Sequence, residues 1–120
     1  MQTLTTFSTP QLAHLHHGKV RESFRVDEHT RLIAVTDRLS AFDRVLTTPV
    51  PGKGAALNAV SAWWFERTGD GVPNHFLRLI DPNLMLVREA APIRVEMVVR
   101  GYLAGSMWRA YQKGQRTFWG

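Results

Sequence analysis

HLHHGKVRESFRV (His14–Val26), DEHT (Asp27–Thr30) and RLIAVT (Arg31–Thr36) decide the fold. The last of these has a continuous apolar centre, Leu32 to Val35, which predicts a buried strand. DEHT is a polar turn, so the three stretches read as two strands around it. Gly18, Lys19 and Arg21 fall at a bend within the first stretch. Upstream, a polar, Thr-rich dozen residues make a loose entry. Downstream, DRLSAFDRVL (Asp37–Leu46) is a polar loop leading into a short strand. TTPVPGKG (Thr47–Gly54) carries too much proline and glycine for regular structure.

From Ala55 to Thr68 the residues Leu57, Val60, Ser61, Trp64 and Phe65 recur at close to helical period. Gly69, Gly71 and Pro73 follow as stop signals, and Trp63 and Trp64 read as packing groups. HFLRLI and LMLVREA flank DPN, a hairpin pattern. IRVEMVV alternates Ile93, Val95, Met97 and Val99, which predicts a half-buried strand. Ser106 is placed to cap a last helix running through Trp108, Ala110 and Tyr111. The fold class is α+β, an antiparallel sheet with a helix on one face. Phe118 and Trp119 are expected to be exposed at the end of the chain, as in a polypeptide cut before its second half.

The chain has 120 residues, 44% hydrophobic and 21% charged, in the range of one soluble domain. No apolar run approaches the length of a membrane span, and no basic-then-apolar leader opens the chain. A cytoplasmic location is the default. The absence of cysteine excludes disulfides and thiol catalysis. A net charge of +5 suits an anionic partner. The cations are scattered rather than blocked, which favours a small phosphate over nucleic acid.

Several stretches carry candidate chemistry. Gly18 lets backbone amides approach an anion while Lys19 and Arg21 reach one polyphosphate, although a glycine kink with exposed charges has the same pattern. Asp37, Ser40 and Asp43 follow a strand end, where substrates bind, or serve as self-capping loop residues. Lys53 precedes a helix start with its free amides, or sits in a plain connector. Glu96 and Arg100 form a surface pair or, in a cleft, accept from a hydroxyl and clamp a phosphate or carboxylate. His14 and His16 alternate onto one strand face beside His17, with no local carboxylate or cysteine, and read as solvated rather than as a zinc site.

Taken in order, GKVRESF, AVTDRLSAFD, PVPGKGAALNAVSAWWFE, VPNHFL and VEMVVRGYLAGSMWRAYQ resemble the N-terminal part of the SAICAR synthase (phosphoribosylaminoimidazole-succinocarboxamide synthase) family. The resemblance runs from about Gly18 to the chain end. It implies an ATP- and magnesium-dependent carbon–nitrogen ligase of purine biosynthesis. Such enzymes join L-aspartate to carboxyaminoimidazole ribonucleotide through an acyl phosphate, releasing ADP and phosphate.

The resemblance further implies a kinase-small-lobe-like, ATP-covering domain over residues 1–92 and the start of an ATP-grasp-like domain over 93–120. Gly18, Lys19, Val20 and Arg21 match the loop over the ATP phosphates. Ala91, Pro92 and Ile93 match the linker beside adenine, with Glu96 near the nucleotide. Arg100 and Ser106 match positions that hold the ribonucleotide; Asp37, Ser40 and Asp43 match a loop facing it, and Lys53 matches less closely. Arg94 stands where the family has proline, and Met107 replaces a glycine at the pocket edge. The family's Asp-x-Lys-x-Glu-x-Gly segment does not occur here. Catalytic groups and magnesium ligands are therefore expected outside this chain, which alone should be inactive. The expected partners are small molecules, neither nucleic acid nor membrane, with room for self-association or a complementary chain. The alternative is a non-catalytic nucleotide-binding remnant.

Overall fold

Three tight turns and one helix organise a five-stranded antiparallel sheet of order β1-β2-β3-β7-β6. The computed structural model describes residues 3–118. The strands are β1 (Ala13–His17), β2 (Arg21–Arg25), β3 (Thr30–Val35), β6 (Phe76–Asp81) and β7 (Leu84–Arg88). The bend at Gly18 splits the first stretch into β1 and β2. A small hairpin, β4 (Ser40–Ala41) with β5 (Arg44–Val45), follows β3. Its turn residues Phe42 and Asp43 both hold positive φ, 51° and 63°, as a two-residue hairpin turn with the twist of its strands requires. The polar loop therefore contains a hairpin of its own.

Strand alternation sends side chains to two faces. On one, Phe24, Leu32 and Ala34 pack with Phe7, Leu12 and Leu84 under the N-terminal segment. On the other, Ile33, Met85 and Val87 meet Ala62, Phe65 and Phe76 below α1 (Lys53–Thr68). The predicted helix is there, but a different stripe is buried. Gly54, Asn58 and Ala62 face the sheet, while Leu57, Val60 and Trp64 are exposed. The reason is proximity. A Cβ at Gly54 would lie 2.4 Å from the Val35 carbonyl oxygen and 2.5 Å from Asn83 Nδ2, so only glycine permits this approach. Asn58 Nδ2 donates to the Pro82 carbonyl at 2.9 Å, tying the same helix face to the β6–β7 turn.

The expected strand at Ile93–Val99 is not formed. Residues 90–104 contain no helix or ladder, and Ile93, Val95, Met97 and Val99 are 84%, 65%, 81% and 96% exposed. A strand needs a neighbour for its amides and carbonyls, and no described strand lies beside this segment. The radius of gyration, 17.5 Å, accordingly exceeds the roughly 13.6 Å of a compact chain this long. The last helix, α2 (Gly105–Gln112), begins one residue before Ser106, with Ala104 at the capping position and no side-chain cap. Phe118 is partly buried and lines a cleft with Ser106, Met107, Ala110 and Gln115, so it is not the exposed terminal ring expected. Trp119 lies outside the described residues.

Candidate functional site

The β1–β2 turn, residues 36–43 and the start of α1 meet at one end of the sheet. The Gly18 N–H donates to the Arg21 carbonyl at 2.8 Å. The N–H and hydroxyl of Thr36 both donate to the Val20 carbonyl, at 3.0 and 2.8 Å. Arg38 supplies the other anchors. Its Nη2 donates to the Gly18 carbonyl at 2.9 Å and its Nε to the Lys19 carbonyl at 3.0 Å. Its Nη1 donates to the Thr5 carbonyl at 2.9 Å. Three consecutive carbonyls of the turn are thus drawn back into the protein. In a trans peptide the N–H points opposite to the preceding C=O, so the amides of Lys19 and Val20 face the other way. Among the described residues neither of these two amides meets an acceptor.

Arg38 is held by Glu22, whose carboxylate lies 2.8 Å from Nη2. Glu22 is 4% exposed and shares the face of Phe24. It also meets His14 Nε2 at 3.1 Å and His17 Nδ1 at 2.9 Å. Burial pushes the Glu22 carboxyl up, but bonds from Arg38, His14 and His17 outweigh this and leave it below the usual carboxylate range. The expected pairing of His14 with His16 fails because the register shifts between them, bringing His14 and His17 to one carboxylate that sequence distance concealed. Among the described residues no three His, Cys, Asp or Glu side chains are arranged to hold a metal.

Asp37 is 2% exposed, and its oxygens accept from the Gly54 N–H at 2.8 Å and the Leu4 N–H at 3.0 Å. It thus anchors the start of α1 and the N-terminal segment. Burial raises its carboxyl, and the amides of Gly54, Leu4 and Gly52 with the charge of Lys53 bring it below the usual range. Lys53 opens α1 after Gly52, which caps with φ of 79°. Ser40 starts β4, and exposed Asp43 at the hairpin tip pairs with Lys19.

Lys19 and Arg21 part company. Arg21 instead lines a cleft between sheet and helix with Val35, Asn58, Ser61, Phe65 and His75. Burial, then the charge of Arg21, pushes His75 down. Ala91, Pro92, Ile93 and Glu96 lie on the exposed segment, with no hydrogen bond joining them to the turn. The Arg100 guanidinium packs 3.5 Å from where a Gly105 Cβ would stand, beside Ser106. Asp43 is therefore joined to the turn and Asp37 to the start of α1 beside Lys53, while Arg100 lies apart from them against Gly105. Neither Glu22 nor Arg38 is a residue that the sequence motifs mark as chemical. A carboxylate in the buried parity of β2 was the available signal, because such a group demands a partner.

The SAICAR synthetase family model matches residues 14–118. Phosphoribosylaminoimidazole-succinocarboxamide synthase of Azobacteroides pseudotrichonymphae is 44% identical over 96% of this chain and 36% of its own length. That of Flavobacterium psychrophilum is 42% identical over 100% of this chain and 39% of its own. The chain therefore spans about two fifths of the curated relatives it matches. Among solved structures, the Saccharomyces cerevisiae SAICAR synthase complexed with SAICAR covers 93% of this chain with a TM-score of 0.84 and 29% identity. The match takes in 45% of the yeast chain. A type-2 SAICAR synthetase in complex with ADP covers 62% at a TM-score of 0.53 and 25% identity, using 32% of its own chain. A chain with this match over nearly all its described residues belongs to the SAICAR synthetase family.

Proposed function

We propose that this chain is the nucleotide-covering part of a cytoplasmic carbon–nitrogen ligase that joins L-aspartate to carboxyaminoimidazole ribonucleotide at the expense of ATP. Residues 1–92 act in the manner of a kinase small lobe, and 93–120 begin an ATP-grasp-like substrate domain. The observation that carries the reading is the turn Gly18–Arg21, where two amides with no acceptor among the described residues and the side chain of Lys19 offer donors and positive charge together. Phosphoryl transfer depends on positioning and charge neutralisation, which such a turn supplies.

In this reading Gly18, Lys19 and Val20 hold the phosphates, and Arg21 meets the nucleotide from the cleft between sheet and helix. Ala91, Pro92 and Ile93 run beside the adenine, with Glu96 close by. Arg100 and Ser106 grip the ribonucleotide, and Ser40, Asp43 and Lys53 border it. Asp37 serves indirectly, fixing the loop that carries the others. Magnesium would neutralise phosphate charge, but the residues here do not fit a site for it. Asp37 is occupied by amides, Asp43 is paired with Lys19, and among the described residues no cluster of three His, Cys, Asp or Glu side chains is arranged for a metal.

The catalytic groups are therefore assigned to parts of the enzyme beyond these 120 residues. An ADP-release assay with MgATP, the ribonucleotide and L-aspartate tests this assignment. The chain alone should give no turnover above the no-protein rate, whereas robust turnover would overturn the division of labour.

A further inference from the structure

Arg38 takes no part in the ligand contacts assigned above, yet it is the most heavily bonded side chain at the site. Its guanidinium meets four acceptors on three segments: the Gly18 and Lys19 carbonyls, the Thr5 carbonyl and the Glu22 carboxylate. We propose that Arg38, anchored by buried Glu22, is a positioning residue that draws two turn carbonyls inward and so aims the Lys19 and Val20 amides at the nucleotide phosphates. The inference rests on the reading of that turn as phosphate-facing.

Two features single out Arg38. The first is shape. A guanidinium presents several N–H donors in a rigid plane, so one side chain can satisfy two successive carbonyls and a carboxylate together; a lysine ammonium has no such fork. The second is the charge balance. A carboxylate buried on an apolar strand face is costly unless paired, and the Glu22–Arg38 pair lies directly behind the turn rather than elsewhere in the core. Thr36 completes the arrangement by holding the Val20 carbonyl. With carbonyls facing inward in sequence, the outward side carries donors alone, which prevents carbonyl oxygens from opposing a polyphosphate.

The test is an ADP titration of the 15N-labelled chain, following the amide signals of Lys19 and Val20, with those of Met85 and Val87 reporting on the fold. The wild-type chain should show saturable movement of the two turn amides. Arg38→Lys keeps the charge beside Glu22 but not the fork. It should weaken ADP binding about tenfold and abolish the turn shifts, with Met85 and Val87 unmoved. Glu22→Gln keeps the shape and an acceptor but loosens the anchor. It should weaken binding about threefold and shrink the same shifts; it decides the matter if Arg38→Lys loses its fold signals. Binding within twofold of wild type, with the turn shifts retained in the folded variants, would overturn the role of Arg38 and leave the phosphate reading standing. No ADP-dependent movement of these amides in the wild-type chain would overturn both.

Discussion

Replacing Asp37 by asparagine separates an anchoring carboxylate from one that meets substrate. The two oxygens of Asp37 accept from the Gly54 and Leu4 amides, 17 and 33 residues away, in a site 2% exposed to solvent. Asparagine retains one acceptor and turns its NH2 group toward the other amide, so one charge-assisted bond is lost and a buried donor faces a donor. A hydrogen bond to a charged group contributes about 1.5–3 kcal/mol, and an unsatisfied buried amide costs a similar amount. Partial relaxation leaves an expected loss of about 2–4 kcal/mol, or on the order of 10 °C in Tm for a domain of this size.

The loss should depend on pH. The Asp37 carboxyl is held below its ordinary value when folded. Its contribution is therefore present above the unfolded pKa, about 3.9, and is lost as pH falls through the folded value. Thermal unfolding followed by far-UV circular dichroism should show a wide gap between wild type and Asp37→Asn at pH 7. The gap should narrow as pH falls below about 4. Equal midpoints at pH 7, within the scatter of repeats, would refute the anchoring argument.

Gly54→Ala brings a methyl group to within 2.4 Å of the Val35 carbonyl oxygen. Chemical denaturation should show a loss of about 3 kcal/mol or more, since backbone must move to admit it. Phe42 stands fully exposed at a φ of 51°, so Phe42→Asn relieves left-handed strain without losing packing. It should raise stability by about 0.5–1 kcal/mol in the same assay. Lys19→Ala removes an exposed side chain and should leave the unfolding midpoint unchanged while weakening ADP binding about tenfold in an equilibrium titration.

Much of the sheet was legible because its signals are local. The apolar run of β3 and the DPN turn between β6 and β7 each specify their structure within a few residues, and the observed ladders agree. The period of α1 predicts a helix of nearly the right span, but not which of its faces packs on the sheet. Leu57, Val60 and Trp64 mark the period yet stay exposed, whereas close approach selects the small or amide side chains of Gly54, Asn58 and Ala62. IRVEMVV has the alternation of a strand but pairs with none of the described strands, since periodicity carries no information about the neighbouring chain. At the site, the turn and loop residues were visible as motifs. The links among them were not, because Glu22 and Arg38 are sixteen positions apart and meet only when β2 and β3 pair.

In the proposed reading the β1–β2 turn faces nucleotide phosphates. A 15N–1H titration of the chain with ADP, run beside adenosine, tests it most directly. Saturable shifts are expected at Lys19 and Val20 with ADP, weaker or absent with adenosine, together with a loss of affinity in Lys19→Ala. Shifts that spare the turn, or that are the same for adenosine as for ADP, would contradict it.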